Sequence, residues 1–398
     1  MQLDVAIVGA GPSGAWAAYL LARAGARVRL FDASHPREKA CGGGVTGRAL
    51  AIVSQAVSPD DCPTVRIRTA RFVDTGESRG DGGQLPGTRG GSAVPLPADA
   101  LVVASRASFD GALLAAARRS GAELVAARVR SLGEQSGGFQ IDTADGARHT
   151  ASHLIGADGA NSLVRRTLAT AFRRDQLSIA TGFFAHGATS NEIVIELMSD
   201  PPGYLWSFPR PDHLAVGICA QADAGVDAAA LRTRVQTWID RAGFKGWSRL
   251  EPYSWPIPSL SGADFDAVDP PRHDWYLIGD AAGLVDPITR EGIYFALQSA
   301  QFAADAILSG SARAGRDYTD RVRTEIVDDL ARAARLKAAF FRPRFAHLLM
   351  SALDTSERVR AVMADLVAGA QSYRTLKWRL VKTMELGLAL RLVRSMRS

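Results

Sequence analysis

Strand-like and helix-like runs of apolar positions alternate along the chain, and each predicts a different kind of structure. Asp4 to Val8 is a short apolar strand that breaks at Gly9, Ala10, Gly11, Pro12, Ser13 and Gly14. A helix-period stretch from Gly14 to Ala24 follows, and then a second strand, Arg27 to Phe31, which ends in Asp32. Ala100 to Ala104 is another apolar run, followed by Arg106 and a helix capped by Ser108, with Phe109, Leu113 and Leu114 on one face and Gly121 at its end. Glu123 to Val129 reads as a strand, and Phe139 to Thr143 with Ala147 to Ala151 reads as a hairpin turning at Asp145 and Gly146. His153 to Ala157 is a buried strand leading into Asp158, Gly159 and a helix that carries Arg165 and Arg166.

From Phe172 to Leu260 the texture changes. Strands are predicted at Thr181 to His186, Ile193 to Leu197, Leu205 to Phe208 and Leu214 to Cys219, with a helix at Ala228 to Ala242. Such a stretch predicts an antiparallel sheet with one helix, suited to wall a pocket. Trp275 to Ile278 returns to the first pattern, and from Tyr318 onward the chain is nearly all helical. Asp74 to Gly91 has no hydrophobic period and is rich in Gly and polar residues, so it reads as a long exposed connection. The expected fold class is α/β: a Rossmann-like domain with an inserted antiparallel-sheet substrate domain and a helical C-terminal region. The dinucleotide domain takes residues 1–70, 101–170 and 265–317, the sheet domain 71–100 and 171–264, and the helical region 318–398.

The break at Gly9 to Gly14 is G-x-G-x-x-G between a strand and a helix. Gly9 permits the tight turn, Gly11 lets backbone approach a pyrophosphate, and Gly14 allows the helix to pack closely on the strand. The helix N-terminus points its N–H groups at the phosphates. Asp32 stands where an acid takes the ribose hydroxyls of an unphosphorylated adenosine. These residues leave NAD and FAD both open. Downstream, Lys39 to Gly44 contains three consecutive glycines, which bring backbone close to something flat or bulky. In an alternating strand Tyr204, Trp206 and Phe208 share one face, where they either line an apolar pocket or fill a core.

With 398 residues, 47% of them hydrophobic, the chain is long enough for two or three domains and a large core. No stretch is apolar for long enough to span a bilayer. The first strand begins too early for a signal peptide to precede it, so a cytoplasmic protein is expected. Cys41, Cys62 and Cys219 are odd in number and scattered, which argues against a disulfide framework and against a zinc site; no metal is expected. His186, His213 and His273 lack local partners and read as structural. The net charge of +6 gathers at one end, where Arg374, Lys377, Arg379, Lys382, Arg391, Arg394 and Arg397 face Glu385 alone. No aromatic-interleaved groove accompanies them, so an anionic membrane surface, met peripherally, is the expected partner rather than nucleic acid.

Three separated motifs resemble the FAD-contacting signatures of the hydroxybenzoate-hydroxylase-like flavoproteins: Gly9 to Gly14, Asp158-Gly159 and Gly279-Asp280. The resemblance implies FAD, with Asp280 on the ribityl chain, the helix start at Gly292 and Ile293 facing the flavin pyrimidine ring, and Asp158-Gly159 under the pyrophosphate. It adds Ala33, Cys41, Gly42, Gly43, Arg106, Val129 and Gly283 to the FAD contacts begun by Gly9, Gly11, Pro12, Ser13, Gly14 and Asp32. No second strand–G-x-G-x-x-G–helix unit exists to hold NAD(P)H. Within this group the chain resembles the geranylgeranyl reductase family. Tyr204 to Pro209 with Gly217 is similar to its Y-x-W-x-F-P…G signature, Lys39 to Gly43 to its K-x-C-G-G loop, and Glu291 to Ala296 to its plant and bacteriochlorophyll branch. Thr289-Arg290 departs from the family's small residues.

The resemblance implies an FAD-dependent reductase that saturates C=C bonds of a prenyl chain on a lipid, quinone or chlorophyll-like substrate. Electrons would come from NAD(P)H or a small redox protein. Cys41 would be catalytic, and Tyr204, Trp206, Phe208 and Pro287 would contact substrate. The alternatives are an aromatic monooxygenase on the same fold and a non-catalytic lipid-binding flavoprotein. A halogenase is disfavoured, because no lysine occurs between Lys39 and Lys245.

Overall fold

The computed structural model describes residues 4–58, 61–74, 91–242, 247–266 and 274–382. Asp4–Val8 is the central strand of a five-stranded sheet in the order Trp275–Leu277, His153–Gly156, Asp4–Val8, Arg27–Phe31, Glu123–Val125. All four pairings are parallel. Parallel strands need crossovers, and the first is the Pro12–Arg23 helix. That helix begins at Pro12 rather than Gly14, because proline at the first helical position already holds a helical φ. It packs with the helices Arg106–Arg119 and Ile293–Leu308 in one core that buries Trp16, Leu21, Phe109, Leu113, Leu297 and Ile307.

The other face carries a three-stranded antiparallel sheet, Val129–Gln135, Gly138–Thr143 and Arg148–Ala151, whose Phe139 and Ile141 pack on Val8, Phe31 and Leu154. The single strand expected from Glu123 to Val129 is therefore two strands in different sheets. The Ala127 N–H bonds back to the Val125 carbonyl at 2.8 Å and turns the chain, and no Gly or Pro marks that turn in the sequence. A second correction concerns the helix cap. Ser105, not Ser108, caps Arg106–Arg119: its backbone is extended, and its Oγ accepts the Ser108 N–H at 3.3 Å.

The second large sheet has seven strands in the order Arg249–Pro258, Leu177–His186, His213–Gln221, Pro202–Pro209, Ile193–Ser199, Thr69–Asp74, Ser92–Pro95. It is antiparallel except where Ile193–Ser199 meets Thr69–Asp74, a parallel pair between segments far apart in the chain. The strand Arg249–Pro258 is not among those that the sequence predicts, because Pro252, Pro256 and Pro258 argue against a strand. It is an edge strand, where a missing N–H costs the ladder nothing.

The helix Ala228–Ala242 covers one face of this sheet, with Leu231, Val235 and Ile239 on Leu205, Val216 and Ile218. The C-terminal helices Pro343–Thr355 and Glu357–Val367 pack Phe345, Leu349, Leu353 and Val362 near Phe72 and Val94. The face bearing Tyr204, Trp206 and Phe208 is left for a cavity between the two sheets. Residues 75–90 of the expected long connection, His273, and the C-terminal cations beyond Lys382 lie outside the described residues.

Candidate active site

The glycine loop is built as its spacing predicts. Gly9 has φ +102°, and a Cβ there would overlap the Ala157 carbonyl; a Cβ on Gly14 would run into the Gly9 carbonyl. Gly11 is different, since the nearest atom to a Cβ would be His35 Nε2 at 3.8 Å. Packing within the protein therefore does not require glycine at 11, and its absent side chain leaves space on the cavity side. The Pro12–Arg23 helix has no side-chain cap and no acid in its first turn, so its free N–H groups suit an anion.

Asp32 is already engaged by its own loop. Its Oδ2 accepts the Ala10 N–H at 2.9 Å and lies 2.8 Å from His35 Nδ1, while Oδ1 accepts the Ser34 N–H at 2.7 Å. Burial acts to raise the Asp32 pKa, but the His35 ring and these donors outweigh it and hold the carboxyl far below its ordinary range. On its other side His35 Nε2 lies 3.4 Å from Asp110, which is fully buried and grips Arg106 through bonds of 2.8 and 2.7 Å. Arg106 Nη1 donates to Cys41 Sγ at 3.6 Å. An unbroken chain of polar contacts thus runs from the expected ribose acid to the expected catalytic thiol.

Cys41 is half-buried in the loop expected beside the flavin. Its carbonyl accepts from Arg210 Nη2 at 2.9 Å, and Arg210, wholly buried, also bonds Glu38 and stacks over the Phe184 ring. Glu38 accepts in addition from the Ser105 hydroxyl and the Ala107 N–H, which ties the loop to the start of the Arg106–Arg119 helix. Lys39 Nζ meets Asp280 Oδ2 at 2.8 Å. Gly42 lies directly under Phe208, where a Cβ would stand 2.8 Å from the ring.

Most of the expected FAD residues line one cavity of about 1010 Å³: Gly9, Gly11, Pro12, Ser13, Asp32, Ala33, Cys41, Gly42, Gly43, Arg106, Val129, Asp158, Gly159, Asp280, Gly292 and Ile293. Gly14, Gly279 and Gly283 are not on its surface. Gly14 sits within the helix; Gly279 donates its N–H to Ser299 Oγ at 3.0 Å, and Gly283 takes φ +80° to end a short turn. Asp158 reaches the cavity, but its carboxylate accepts from Ser162 Oγ at 2.5 Å and the Leu163 N–H at 2.6 Å. It is tied to the first turn of the Leu163–Leu168 helix, which Ser162 caps, and burial raises its pKa. Gly292 begins the Ile293–Leu308 helix without a side-chain cap, a second open N-terminus on the cavity.

Tyr204, Trp206 and Phe208 all line the same cavity, whereas the expected substrate contact Pro287 does not. Pro287 is buried within a turn in which Asp286 accepts the Ile288 and Thr289 N–H groups, so Ile288 and Thr289 face the cavity instead. Tyr204 donates its hydroxyl to the Thr289 carbonyl at 3.0 Å. Two further walls are not among the residues expected from the sequence. Ile193, Ile195 and Leu197 alternate along their strand onto the cavity face, a period-two signal that the sequence does carry. Phe340, Met363 and Leu366 come from C-terminal helices, whose apolar stripe looks the same whether it meets a core or a pocket.

Of the two described histidines expected to lack local partners, His213 has one and His186 meets a distant one. His213 Nδ1 is 2.7 Å from its neighbour Asp212, and His186 Nε2 is 3.1 Å from Glu251 on the strand that the sequence conceals. Among the described residues, no group of three or more His, Cys, Asp or Glu side chains is disposed to hold a metal. Nor is any described helix long and apolar enough to cross a membrane.

Residues 2–191 match the FAD binding domain family. The menaquinone reductase of Mycolicibacterium smegmatis is 31% identical over 381 residues, spanning 86% of this chain and 86% of its own length. The chloroplastic geranylgeranyl diphosphate reductase of rice (Oryza sativa subsp. japonica) is 29% identical over 345 residues, spanning 79% of this chain and 68% of its own. The chain belongs to the geranylgeranyl reductase family of FAD-dependent oxidoreductases. The fold agrees: a geranylgeranyl bacteriochlorophyll reductase-like protein from Thermoplasma acidophilum superposes with a TM-score of 0.74 at 20% identity, covering 96% of this chain and 99% of that one. The family's FAD fits the residues present. Two uncapped helix N-termini, the space at Gly11 and the backbone-lined Cys41–Gly43 loop open on one cavity large enough for a dinucleotide and a further ligand.

Proposed function

We propose that this member of the geranylgeranyl reductase family saturates C=C bonds of a prenyl chain. The observation that carries the reading is the apolar wall of Tyr204, Trp206, Phe208, Ile193, Ile195 and Leu197, which runs up to the Cys41–Gly43 loop in a single cavity. When bound, reduced FAD supplies the hydride equivalent that one alkene carbon needs. Gly11, Pro12 and Ser13 would hold its pyrophosphate, and Gly292 and Ile293 would present N–H groups to the flavin. The apolar wall would lay the chain out and exclude water. Cys41 would deliver a proton from Sγ to the second alkene carbon, and Arg106, 3.6 Å away, would stabilise the thiolate left behind. NAD(P)H arriving transiently, or a small redox protein, would reduce the flavin.

Flavin reduced anaerobically with dithionite is expected to reoxidise when a geranylgeranyl-bearing lipid is added, with a mass gain of two hydrogens per bond. A flavin that stays reduced until oxygen enters, with oxygen then found in an added aromatic compound, would replace this reading with a monooxygenase.

A water-insoluble substrate has to be collected from a membrane, and the Tyr373–Lys382 helix suits that task. Trp378 is 69% and Val381 44% exposed, and Arg374, Lys377 and Lys382 share the helix. Each nearby cation adds about 1 kcal/mol on an anionic surface. The double change Trp378→Ala and Lys382→Glu is expected to weaken cosedimentation with anionic vesicles about tenfold or more. Equal binding of the unaltered protein to neutral and anionic vesicles would count against the docking face.

A further inference from the structure

Among the described residues, Arg290 is the one on the cavity wall whose backbone and side chain both stand in an unfavourable state. Its φ of +61° is a left-handed conformation that suits glycine, and at this position the chain carries a long cation. The turn from Asp286 holds it there, because the Arg290 N–H donates to the Asp286 carbonyl at 3.0 Å. Arg290 Nη1 donates to Ser259 Oγ at 2.7 Å, while its buried Nε has no hydrogen-bond partner.

A second cation is packed against the same hydroxyl. Lys337 Nζ, on the helix that sends Phe340 into the cavity, lies 2.7 Å from Ser259 Oγ and 2.5 Å from Gln221 Oε1. Both acceptors are neutral, and among the described residues neither Arg290 nor Lys337 forms an ion pair. Burial, and then the nearby Arg290 charge, push the Lys337 pKa down to about 7. Two adjacent cations sharing a neutral acceptor, one of them on a cavity wall with an unused donor, form an arrangement that an anion would relieve.

The site also has a defined place on the apolar wall. Tyr204 OH bonds the Thr289 carbonyl, one residue before Arg290, whereas Phe208 lies over Gly42 beside Cys41. Tyr204 and Phe208 are four residues apart in one strand, roughly 13 Å at about 3.3 Å per residue. The cation pair and the thiol loop are thus joined by the length of the aromatic row.

We propose that Arg290 and Lys337 form an anion subsite that takes the phosphate or diphosphate head of an amphiphilic prenyl substrate, whose chain then lies along Tyr204, Trp206 and Phe208 toward Cys41. The inference rests on the prenyl-reductase reading for the chain, but its test needs no turnover. Binding of geranylgeranyl diphosphate and of geranylgeraniol to the FAD-loaded protein would be measured by calorimetry, with inorganic diphosphate as competitor. The wild type is expected to prefer the diphosphate at least tenfold and to be competed by inorganic diphosphate.

Arg290→Gly should erase most of that preference while leaving geranylgeraniol affinity within about twofold, and should raise Tm by relieving the backbone, which confirms folding. Lys337→Gln should reduce the preference in part. Equal affinity for diphosphate and alcohol in the wild type, or a preference that survives Arg290→Gly, would overturn the subsite. A loss of NADPH affinity relative to NADH, with the prenyl preference unchanged, would assign the cations to a nucleotide phosphate and overturn the substrate assignment. If the preference disappears in Arg290→Gly but no prenyl chain is ever reduced, the subsite stands and the reductase reading fails.

Discussion

Asp110→Ala is expected to lower the unfolding free energy by about 3–5 kcal/mol, the range for removing one partner of a buried ion pair. Asp110 is fully buried, bonds Arg106 twice and faces His35 at 3.4 Å. Removing it leaves the Arg106 guanidinium, itself 4% exposed, with a desolvated charge and no carboxylate to meet it. Burial acts to raise the Asp110 pKa, and Arg106 and His35 outweigh it, so the folded-state value lies below the unfolded one. Its stabilisation is then complete above the ordinary aspartate pKa and is lost as pH falls through the depressed value. His35 runs the other way. Its pKa is raised by Asp110 and Asp32 against the effect of burial, so its contribution is complete below the ordinary histidine value and fades as pH rises through the higher one. Urea melts of the wild type and Asp110→Ala at several pH values would check both signs. A loss below about 1 kcal/mol at neutral pH would mean that water or rearrangement compensates Arg106.

The second large effect belongs to Cys41→Ala. If Sγ provides the proton, its removal should slow prenyl reduction by about 10²–10⁴, the usual contribution of a positioned acid. FAD binding and the rate at which dioxygen reoxidises the reduced flavin should stay within about threefold of wild type. That split separates a proton donor from a packing residue, because a disturbed loop would move all three quantities together. The half-buried thiol lies in contact with Arg106, whereas Cys62 is buried away from the cavity lining. Unchanged prenyl turnover in Cys41→Ala would make Cys41 a small filler of the loop.

Part of this site is legible in the amino-acid sequence. The positive φ at Gly9 and the approach of Gly14 to the Gly9 carbonyl are local to the turn, and Tyr204, Trp206 and Phe208 share a face because a strand alternates by two. The helix Ala228–Ala242 is legible, because a helix that covers a sheet must repeat its apolar positions every three or four. The choice between Ser105 and Ser108 is not, since either serine satisfies the capping pattern and only the extended backbone at Ser105 decides. Arg249–Pro258 is hidden by its prolines, which are harmless only at an edge, and an edge is defined by the neighbours that are missing.

Local stereochemistry and period are properties of short segments, so the chain by itself determined the nucleotide turn, the α/β class and the aromatic row. Contacts between distant segments depend on how whole elements stack. Only the tertiary structure decided that Glu38 and Arg210 clamp the Cys41 loop, that Asp32 connects through His35, Asp110 and Arg106 to Cys41, and that C-terminal helices close the pocket. Nothing in a run of sequence records which charge another segment will bring to meet its own, or whether an apolar helix face will meet side chains or a space.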